Sequence, residues 1–551
     1  MSWHAPPGHD RPGCSRSSPC YHHFKLPPVR DASAEPKMRS FTTASLATIA
    51  LVLPVLGDSG PLNKTPGHCQ KHLVSSEKLQ SQITLKPLRA GAEKLQAIAN
   101  ANGGTRVFGS AGHNATVDYI FDTLTSLGYY DVVKQPFTEI YSAGTGSFAV
   151  NGEAIVSNIM TYTPSGSVTA QVIAVPDLGC TPEVYPVEVA GNIALVERGT
   201  CNFAAKALSA KMAGAAALVI YNNIEGSISG TLGTPFLDYA PVVSISQADG
   251  HAILASLTEG PVTADFEVIA TTEERVNYNV LAETKEGDHN NVLVLGAHSD
   301  SVAAGAGIND DGSGSIGILE VAKALSKFKI KNAVRFGWWG AEEFGKLGSY
   351  YYVESINSTE SQLAKIRAYL NFDMIASPNY IYSIYDGDGD AFGLKGPAGS
   401  DVIEKDFQDF YAANGFPSVP KPFDGRSDYA AFIENGIPAG GIFTGAEAIK
   451  TEEEAALFGG QAGVALDINY HGVGDTVDNL DWTAFLLNTK AIANSVAKYA
   501  LSFDSLPAVS LDKRRYSGDM ARYLKNSRDE HSHGHDHGDS APCGGEERDL
   551  I

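Results

Sequence analysis

The 551-residue sequence is poor in cysteine, in positive charge and in long apolar runs. Six cysteines are too few for a disulfide scaffold in so long a chain, although a single bridge remains possible. Lys and Arg number 41 against 63 Asp and Glu, which gives a formal net charge of −22. Because phosphate binding needs clustered cations and none is apparent, this balance argues against nucleic acid as a partner.

The longest membrane candidate near the N-terminus is too short to cross a bilayer. Residues 46–56 are apolar, but a transmembrane helix needs about 20 such residues. Met38-Arg39-Ser40 precedes this run and small or polar residues follow it, a pattern typical of a signal peptide over residues 38–57. We therefore expect translation to begin at Met38, with residues 1–37 as a non-native extension.

A signal peptide predicts a secreted protein or, alternatively, one in a vacuolar or lysosome-like lumen. Residues 58–84 show no firm periodicity and are expected to be propeptide-like or loosely ordered. Glycans become possible in such a compartment at the three sequons, Asn63, Asn114 and Asn357.

Periodicity divides the rest of the chain into three parts. Two amphipathic helical patterns around residues 88–98 and 117–127 are followed, from residue 147, by short strands with one small helix. Residues 147–272 carry no constellation of acids and histidines, so we expect a non-catalytic domain inserted between 85–146 and 273–505. Cys180 and Cys201 flank its first half and are the candidates for a bridge. Residues 506–551, with histidines at 531, 533, 535 and 537, are expected to be a disordered tail.

Apolar strands alternate with helical patterns after residue 272. The strands cover residues 278–282, 291–297, 333–339, 366–372 and 439–444. This alternation predicts an α/β fold with a mixed, mostly parallel sheet flanked by helices, interrupted by the β-rich insertion.

Metal-binding side chains follow three of these strands. His298 and Asp300 end the first strand, the pair Glu342-Glu343 follows the second, and Asp373 follows the third. Taken alone, the stretch that begins at His298 could be a polar surface turn, and Glu342-Glu343 could be a solvated helix start. Parallel strands place their carboxyl ends at one edge, so we expect these groups to converge.

Asp310 and His471 complete a set of two imidazoles and several carboxylates. Mixed nitrogen and oxygen ligands of this kind suit zinc. Two metals about 3.5 to 4 Å apart need a bridging ligand, for which a carboxylate is the natural choice. The adjacent glutamates point in different directions, so one is expected to bind metal while the other faces the water.

The inserted domain carries a specific motif. Leu178-Gly-Cys180, the segment from Gly191 to Phe203 with Arg198-Gly-Thr-Cys201-Asn-Phe, and Lys211-Met-Ala-Gly-Ala resemble a protease-associated (PA) domain. Such domains are inserted in several peptidase families. The resemblance covers roughly 120 residues.

The metal-binding residues match a second family pattern in order. His298-Ser-Asp300, the run through Asp310, Glu342-Glu343, Asn371-Phe-Asp373-Met and Tyr470-His471 resemble the co-catalytic zinc aminopeptidases, which include secreted bacterial leucine aminopeptidases and fungal aminopeptidase Y. The resemblance implies two Zn²⁺ ions per subunit. One would be held by His298, Asp310 and Asp373, and the other by Asp310, Glu343 and His471, with Asp310 as the bridge.

The same resemblance implies roles for the remaining residues. Glu342 would be the general base, Asp300 would orient His298, and the Tyr470 phenol would stabilise the oxyanion. Arg426 matches a segment at the substrate site, where a contact to the substrate backbone and a structural ion pair are both open.

The sequence therefore predicts a metallo-aminopeptidase that releases N-terminal amino acids from peptides with a free N-terminus. We expect a monomer without a membrane span. The alternatives are a carboxypeptidase, a glutaminyl cyclase-like enzyme on the same scaffold, or a non-catalytic binding protein. Against the last, none of the matched positions is missing.

Overall fold

The computed structural model describes residues 71–357 and 360–507, which lie within one compact unit. The predicted signal peptide, the extension before it, Asn63 and the His-rich tail lie outside the described residues.

The described residues form twelve α-helices, four short 3-10 helices and fourteen strands. The helices are α1 Ser76–Gln80, α2 Leu85–Ala101, α3 Ala111–Ser126, α4 Phe203–Met212, α5 Gln247–Glu259, α6 Gly312–Leu325, α7 Leu347–Asn357, α8 Glu360–Leu363, α9 Ser400–Ala413, α10 Tyr429–Ile433, α11 Glu452–Phe458 and α12 Trp482–Tyr499. The strands are β1 Tyr130–Val150, β2 Glu153–Ile155, β3 Ser157–Ile159, β4 Gly166–Ala174, β5 Ile193–Glu197, β6 Ala217–Tyr221, β7 Val242–Ile245, β8 Thr263–Thr284, β9 Asp288–His298, β10 Asn332–Trp339, β11 Ile366–Phe372, β12 Ser383–Tyr385, β13 Val419–Lys421 and β14 Ala439–Phe443.

The strands after residue 262 build the mixed, mostly parallel sheet that the sequence predicts. Its order is β13-β12-β14-β11-β9-β10-β8, and β9, β10, β11 and β14 run parallel to one another. Strand β9 lies at its centre and is apolar because both of its faces are covered. Leu293 and Leu295 face a core with α2, α3, α6 and α12, whereas Val292 and Val294 face a core with α7 and α10.

A long two-stranded ribbon joins this sheet to the inserted part of the chain. Strand β1 pairs with β8 along 21 positions, from Tyr130↔Thr284 to Val150↔Ala264. One end of β8 pairs with β10 and the other end pairs with β4. The sequence pattern predicted a separate strand at 278–282, whereas β8 runs without a break from Thr263 to Thr284, because pairing continues through the polar residues before 278. The ribbon also crosses both predicted domain boundaries, at residues 146 and 272.

The inserted part has its own layered core. Strands β4, β5, β6 and β7 pair in parallel with one another in that order, and β3 closes the edge antiparallel to β7. Cys180 and Cys201 form a disulfide across a sequence separation of 21 residues.

Residues 71–84 differ from the expected loosely ordered segment. Val74, Leu79 and Ile83 are buried in the same core as α12, and α1 forms between them. Their apolar side chains are too widely spaced to give a periodic signal, so their packing is a tertiary effect. Of the described sequons, Asn357 is exposed, whereas Asn114 is half-buried in the first turn of α3.

Candidate metal centre

The carboxyl ends of β9, β10 and β11 bring the predicted side chains to one edge of the sheet. The parallel register sets Trp339, the last residue of β10, beside His298, the last residue of β9. On the other side of β9, Asn371 pairs with Gly296, so Asp373 follows β11 at the same level. The convergence expected from the strand ends is therefore present.

Asp310 lies at the centre of this cluster. Its Oδ1 is 3.1 Å from His298 Nε2, which is also 3.7 Å from Asp373 Oδ1. Its Oδ2 is 3.2 Å from His471 Nε2, which is 3.0 Å from Glu343 Oε2. The two carboxylate oxygens of Asp310 thus face two different groups, each made of one histidine and one acid.

Asp311 is close to the same cluster, but both of its carboxylate oxygens accept hydrogen bonds from main-chain N–H groups. Its carboxylate lies within 4.8 Å of ligand atoms of His298 and Asp373. However, its Oδ1 accepts hydrogen bonds from the main-chain N–H groups of Gly314 and Met374, and its Oδ2 accepts one from His298 N. We therefore read Asp311 as the cap of α6 and a support of the loops, although its proximity alone fits a ligand.

Burial and charge both point to a cation at this place. Glu343 Oε1 is buried without a hydrogen-bond partner. Burial raises the pKa of Glu343. Burial alone would lower the pKa of His298, but the carboxylates of Asp300, Asp310 and Asp373 outweigh it and raise that pKa well above its ordinary value. Buried acids without compensation are costly, and two imidazoles with three carboxylates are a donor set that suits zinc.

Glu342 and Asp300 lie beside the ligand cluster. Glu342 is 9% exposed and lines the same pocket as Asp310 and Asp373, and burial raises its pKa well above the ordinary value. Asp300 Oδ1 accepts a hydrogen bond from Glu342 N at 3.1 Å and lies 3.5 Å from His298 Nδ1. Asp300 thereby links the segment after β9 to the segment after β10.

Three non-glycine residues around the cluster have a left-handed backbone. Ala341, Met374 and His471 have φ angles of 59°, 52° and 55°. Such conformations cost of order 1–3 kcal/mol each and persist where the surroundings over-determine them. Ala341 precedes the predicted base Glu342, Met374 follows the predicted ligand Asp373, and His471 is itself a predicted ligand. The peptide bond between Asp310 and Asp311 is cis.

Tyr470 and Arg426 form one side of the pocket. The Tyr470 ring stacks on His471 with centroids 3.8 Å apart. Arg426 donates to Glu447 through both terminal nitrogens, at 2.7 and 3.2 Å, and Nη2 also donates to Tyr470 Oη at 3.2 Å. The sequence left open whether Arg426 forms a structural ion pair or contacts the substrate backbone. The ion pair with Glu447 is present, and the guanidinium also donates a hydrogen bond to Tyr470.

Several supporting residues were not identified from the sequence. Asp475 accepts the N–H groups of Asn309 and Asp310 at 2.7 and 3.0 Å, and Ser427 donates to Asp373 Oδ2 at 2.6 Å. Asp475 lies four residues after the predicted ligand His471, and this closeness in sequence could have identified it as a candidate site residue. Arg106, which contacts the loop after β9, lies between the two amphipathic helical patterns, where the sequence analysis named no site residue.

Two family models match the chain. The model described as Peptidase family M28 matches residues 279–496, and the model of the PA domain matches residues 168–253. The first contains every predicted ligand, and the second lies within the predicted insertion.

Curated relatives match over most of their length. The probable leucine aminopeptidase 2 of Aspergillus fumigatus is 54% identical over 446 residues, which cover 80% of this chain and 89% of the relative. The leucine aminopeptidase 2 of Trichophyton rubrum is 49% identical over 439 residues, which cover 79% and 88%.

Solved structures share the fold. The aminopeptidase from Aneurinibacillus sp. strain AM-1 is 27% identical with a TM-score of 0.56, covering 79% of this chain and 97% of that one. The zinc aminopeptidase BSAP from Bacillus subtilis is 23% identical with a TM-score of 0.53 over the same shares, a likeness of fold.

Proposed function

The chain belongs to peptidase family M28, carries a PA domain and is an aminopeptidase, and we propose that it releases N-terminal residues from peptides with the help of two zinc ions. The position of Asp310 carries this proposal, because its two oxygens face His298 with Asp373 on one side and His471 with Glu343 on the other.

These five residues would hold the ions. His298, Asp310 and Asp373 form one group and Asp310, Glu343 and His471 form the other. When bound, the zinc pair would lower the pKa of a water and polarise the scissile carbonyl. The orphaned oxygen of Glu343 and the nitrogen-and-oxygen donor set support this assignment.

Glu342 is the proposed general base. It lines the pocket beside the ligands without being needed by either group of three. Its carboxylate would take a proton from the attacking water and return it to the leaving amine, which is a role that carboxylates in dry sites perform at neutral pH. Its main-chain N–H is fixed by Asp300, so the segment that carries it is held in place.

Tyr470 is the proposed oxyanion donor. Its oxygen accepts a hydrogen bond from Arg426, which leaves the phenolic hydrogen available for a substrate oxygen. A donor aimed at developing negative charge acts strongly in a water-excluded site. Arg426 would then act through Tyr470 rather than on the substrate.

The pocket favours an apolar first side chain. Met374, Tyr385, Phe443 and Ala446 line it together with polar residues such as Lys421 and Asp424, and the relatives are named leucine aminopeptidases. Carboxylates of Glu342 and Asp373 also line it and would attract the free α-ammonium of a peptide. We propose that substrates are peptides beginning with leucine or a similar residue.

The place and state of the protein are also proposals. The signal-peptide pattern supports secretion, with a vacuolar-type lumen as the alternative, and we propose a monomer. Within residues 71–357 and 360–507 no helix has the length and apolar character to cross a membrane.

Cleavage of amino-acid arylamides tests the function. Leucine arylamide should be hydrolysed, the N-acetylated compound should not, and a chelator should abolish hydrolysis until zinc is restored. Undiminished cleavage of the acetylated compound would contradict the exopeptidase proposal. Release of a C-terminal residue from a blocked peptide would favour a carboxypeptidase, and cyclisation of N-terminal glutamine would favour a glutaminyl cyclase.

The preference for leucine needs a matched pair of substrates. Lysine arylamide has a similar chain length but carries a charge. The apolar lining predicts a lower kcat/KM for it than for leucine arylamide, and equal values would contradict the proposed preference.

A further inference from the structure

One buried cation contacts the segment between His298 and Asp310. Arg106 is fully buried and lies between α2 and α3, about 200 residues before the segment it touches. Its Nε donates to Ala306 O at 2.8 Å, Nη1 donates to Ser299 O and Nη2 donates to Gly307 O. All three side-chain hydrogen bonds therefore go to main-chain carbonyls of one loop.

The main chain of Arg106 is fixed to the same loop. Its N–H donates to Ser301 Oγ at 2.9 Å, and Ser301 lies between the first and last of the carbonyls that the guanidinium binds. Gly112, in the first turn of α3, lets the chain before α3 pack closely against that helix, because a Cβ there would come within 2.2 Å of Thr105 O. The segment before α3 is thus seated against the loop.

The loop is shaped to receive the guanidinium. Gly307 has φ +62°, and a Cβ at this position would lie 3.1 Å from Arg106 Nη2 and 2.4 Å from Asp310 O. A side chain would therefore be strained and would press on both the cation and the proposed bridging residue. Asp475 holds the other end of the loop by accepting the N–H groups of Asn309 and Asp310.

Arg106 also places a positive charge close to the acidic residues of the site. The carboxylates of Asp300, Asp475, Asp311 and Asp310 act on it through space. A guanidinium stays charged when buried, and its planar fork is suited to hold several acceptors at once. It therefore contributes fixed positive charge beside an acidic cluster while leaving the carboxylate oxygens free for other partners.

We propose that Arg106 is a positioning residue of the metal centre, which holds the loop between His298 and Asp310 in the shape that lets both bind. This inference rests on the proposed two-zinc function. Since the loop carries a ligand at each end and one of these is the proposed bridge, loss of Arg106 should weaken both sites. Residues that orient metal ligands typically contribute about 10- to 100-fold to metal affinity.

The test compares zinc dissociation constants of the full chain and its variants by competition with a chelator. Arg106→Lys keeps the charge but loses the fork, whereas Arg106→Met loses both. We expect Arg106→Lys to bind zinc about 10-fold more weakly and Arg106→Met more weakly still. The visible absorption of cobalt-substituted protein should change in the same variants, because it reports the arrangement of the ligands.

Arg335 supplies the matched control. It is a mostly buried arginine on β10 that contacts Glu283 and Tyr352, neither of which belongs to the site. Arg335→Lys should lower the thermal stability without changing the zinc dissociation constants. A purely structural role for Arg106 would make the two lysine variants behave alike.

The outcomes separate the two proposals. Wild-type protein that binds no zinc would contradict the proposed function itself. If the wild type binds zinc and Arg106→Lys shows the same zinc dissociation constants and the same cobalt spectrum, the role of Arg106 is overturned while the proposed function stands. If neither Arg106 variant folds, Ser301→Ala removes the acceptor of the Arg106 N–H, and an unchanged zinc affinity in that variant overturns it instead.

Discussion

Asp310 differs from the other proposed acidic ligands in facing a different histidine with each of its oxygens. Oδ1 faces His298 and Oδ2 faces His471, at 3.1 and 3.2 Å. Asp310→Ala should therefore lower zinc content at two sites, whereas His298→Ala should mainly empty one. Metal analysis after dialysis would measure about zero and about one zinc per chain. Loss of a single zinc in both variants would contradict the bridging role.

Glu342 can be separated from its neighbour by an isosteric change. Glu342→Gln removes the proposed base while keeping its size, so zinc content should stay at the wild-type value and kcat should fall about 10²- to 10⁴-fold. Glu343→Gln should instead lower zinc content, because Glu343 Oε2 faces His471 at 3.0 Å. Steady-state kinetics and metal analysis on both variants check the assignment, which fails if Glu342→Gln is the variant that loses metal.

The strand pattern alone identified four of the predicted site residues, whereas the roles of Asp310, His471 and Tyr470 came from the family resemblance. His298, the pair Glu342-Glu343 and Asp373 stand where an apolar run ends, so the rule for parallel strands was enough to bring them together. Arg106 has no such signal. Its partners are carbonyls about 200 residues away, and no side-chain pattern marks a carbonyl that accepts a hydrogen bond.

Strand β9, the element that delivers His298, depends on a glycine. A Cβ on Gly296 would lie 2.3 Å from Trp339 Nε1 and 2.7 Å from Tyr369 Oη, which are hydrogen-bonded to each other at 2.9 Å. Gly296→Ala would force these rings apart and should lower the free energy of unfolding by about 1–3 kcal/mol.

Gly260 provides the control for that change. A Cβ there meets nothing within 4 Å, so Gly260→Ala should stay within about 0.5 kcal/mol of the wild type. Chemical denaturation of both variants measures the difference. Equal stability of the two would mean that the tryptophan and tyrosine rings adjust without cost.

Strands that are held by backbone hydrogen bonds to a partner strand, and that lack a continuous apolar face, were harder to predict from the sequence. The apolar strands β9, β10 and β11 match their predicted ranges closely, because burial on two faces leaves a clear apolar run. The β1–β8 ribbon is largely half-exposed and includes Glu273, Glu274 and Arg275, so its middle has no apolar alternation. Its continuity follows from backbone pairing with a partner more than a hundred residues away.

Four hydrophobic cores of the described residues form two sets that share this ribbon. One set surrounds the sheet with the proposed metal-binding edge, and the other surrounds β3 to β7 with the disulfide. The proposed ligands lie between residues 298 and 471 and follow different elements, so bound zinc would stabilise the first set only. The disulfide closes a segment of the second set.

We therefore expect two calorimetric transitions with different sensitivities. A chelator should lower the midpoint of one, because zinc that binds only the folded state stabilises it by mass action. Replacing both Cys180 and Cys201 with Ser should lower the other, since bridging residues 21 apart stabilises by about 3 kcal/mol. The two effects should add in the doubly perturbed protein, because the sites share no partners. A single transition shifted by both treatments would instead mean that the ribbon makes the two sets of cores unfold as one.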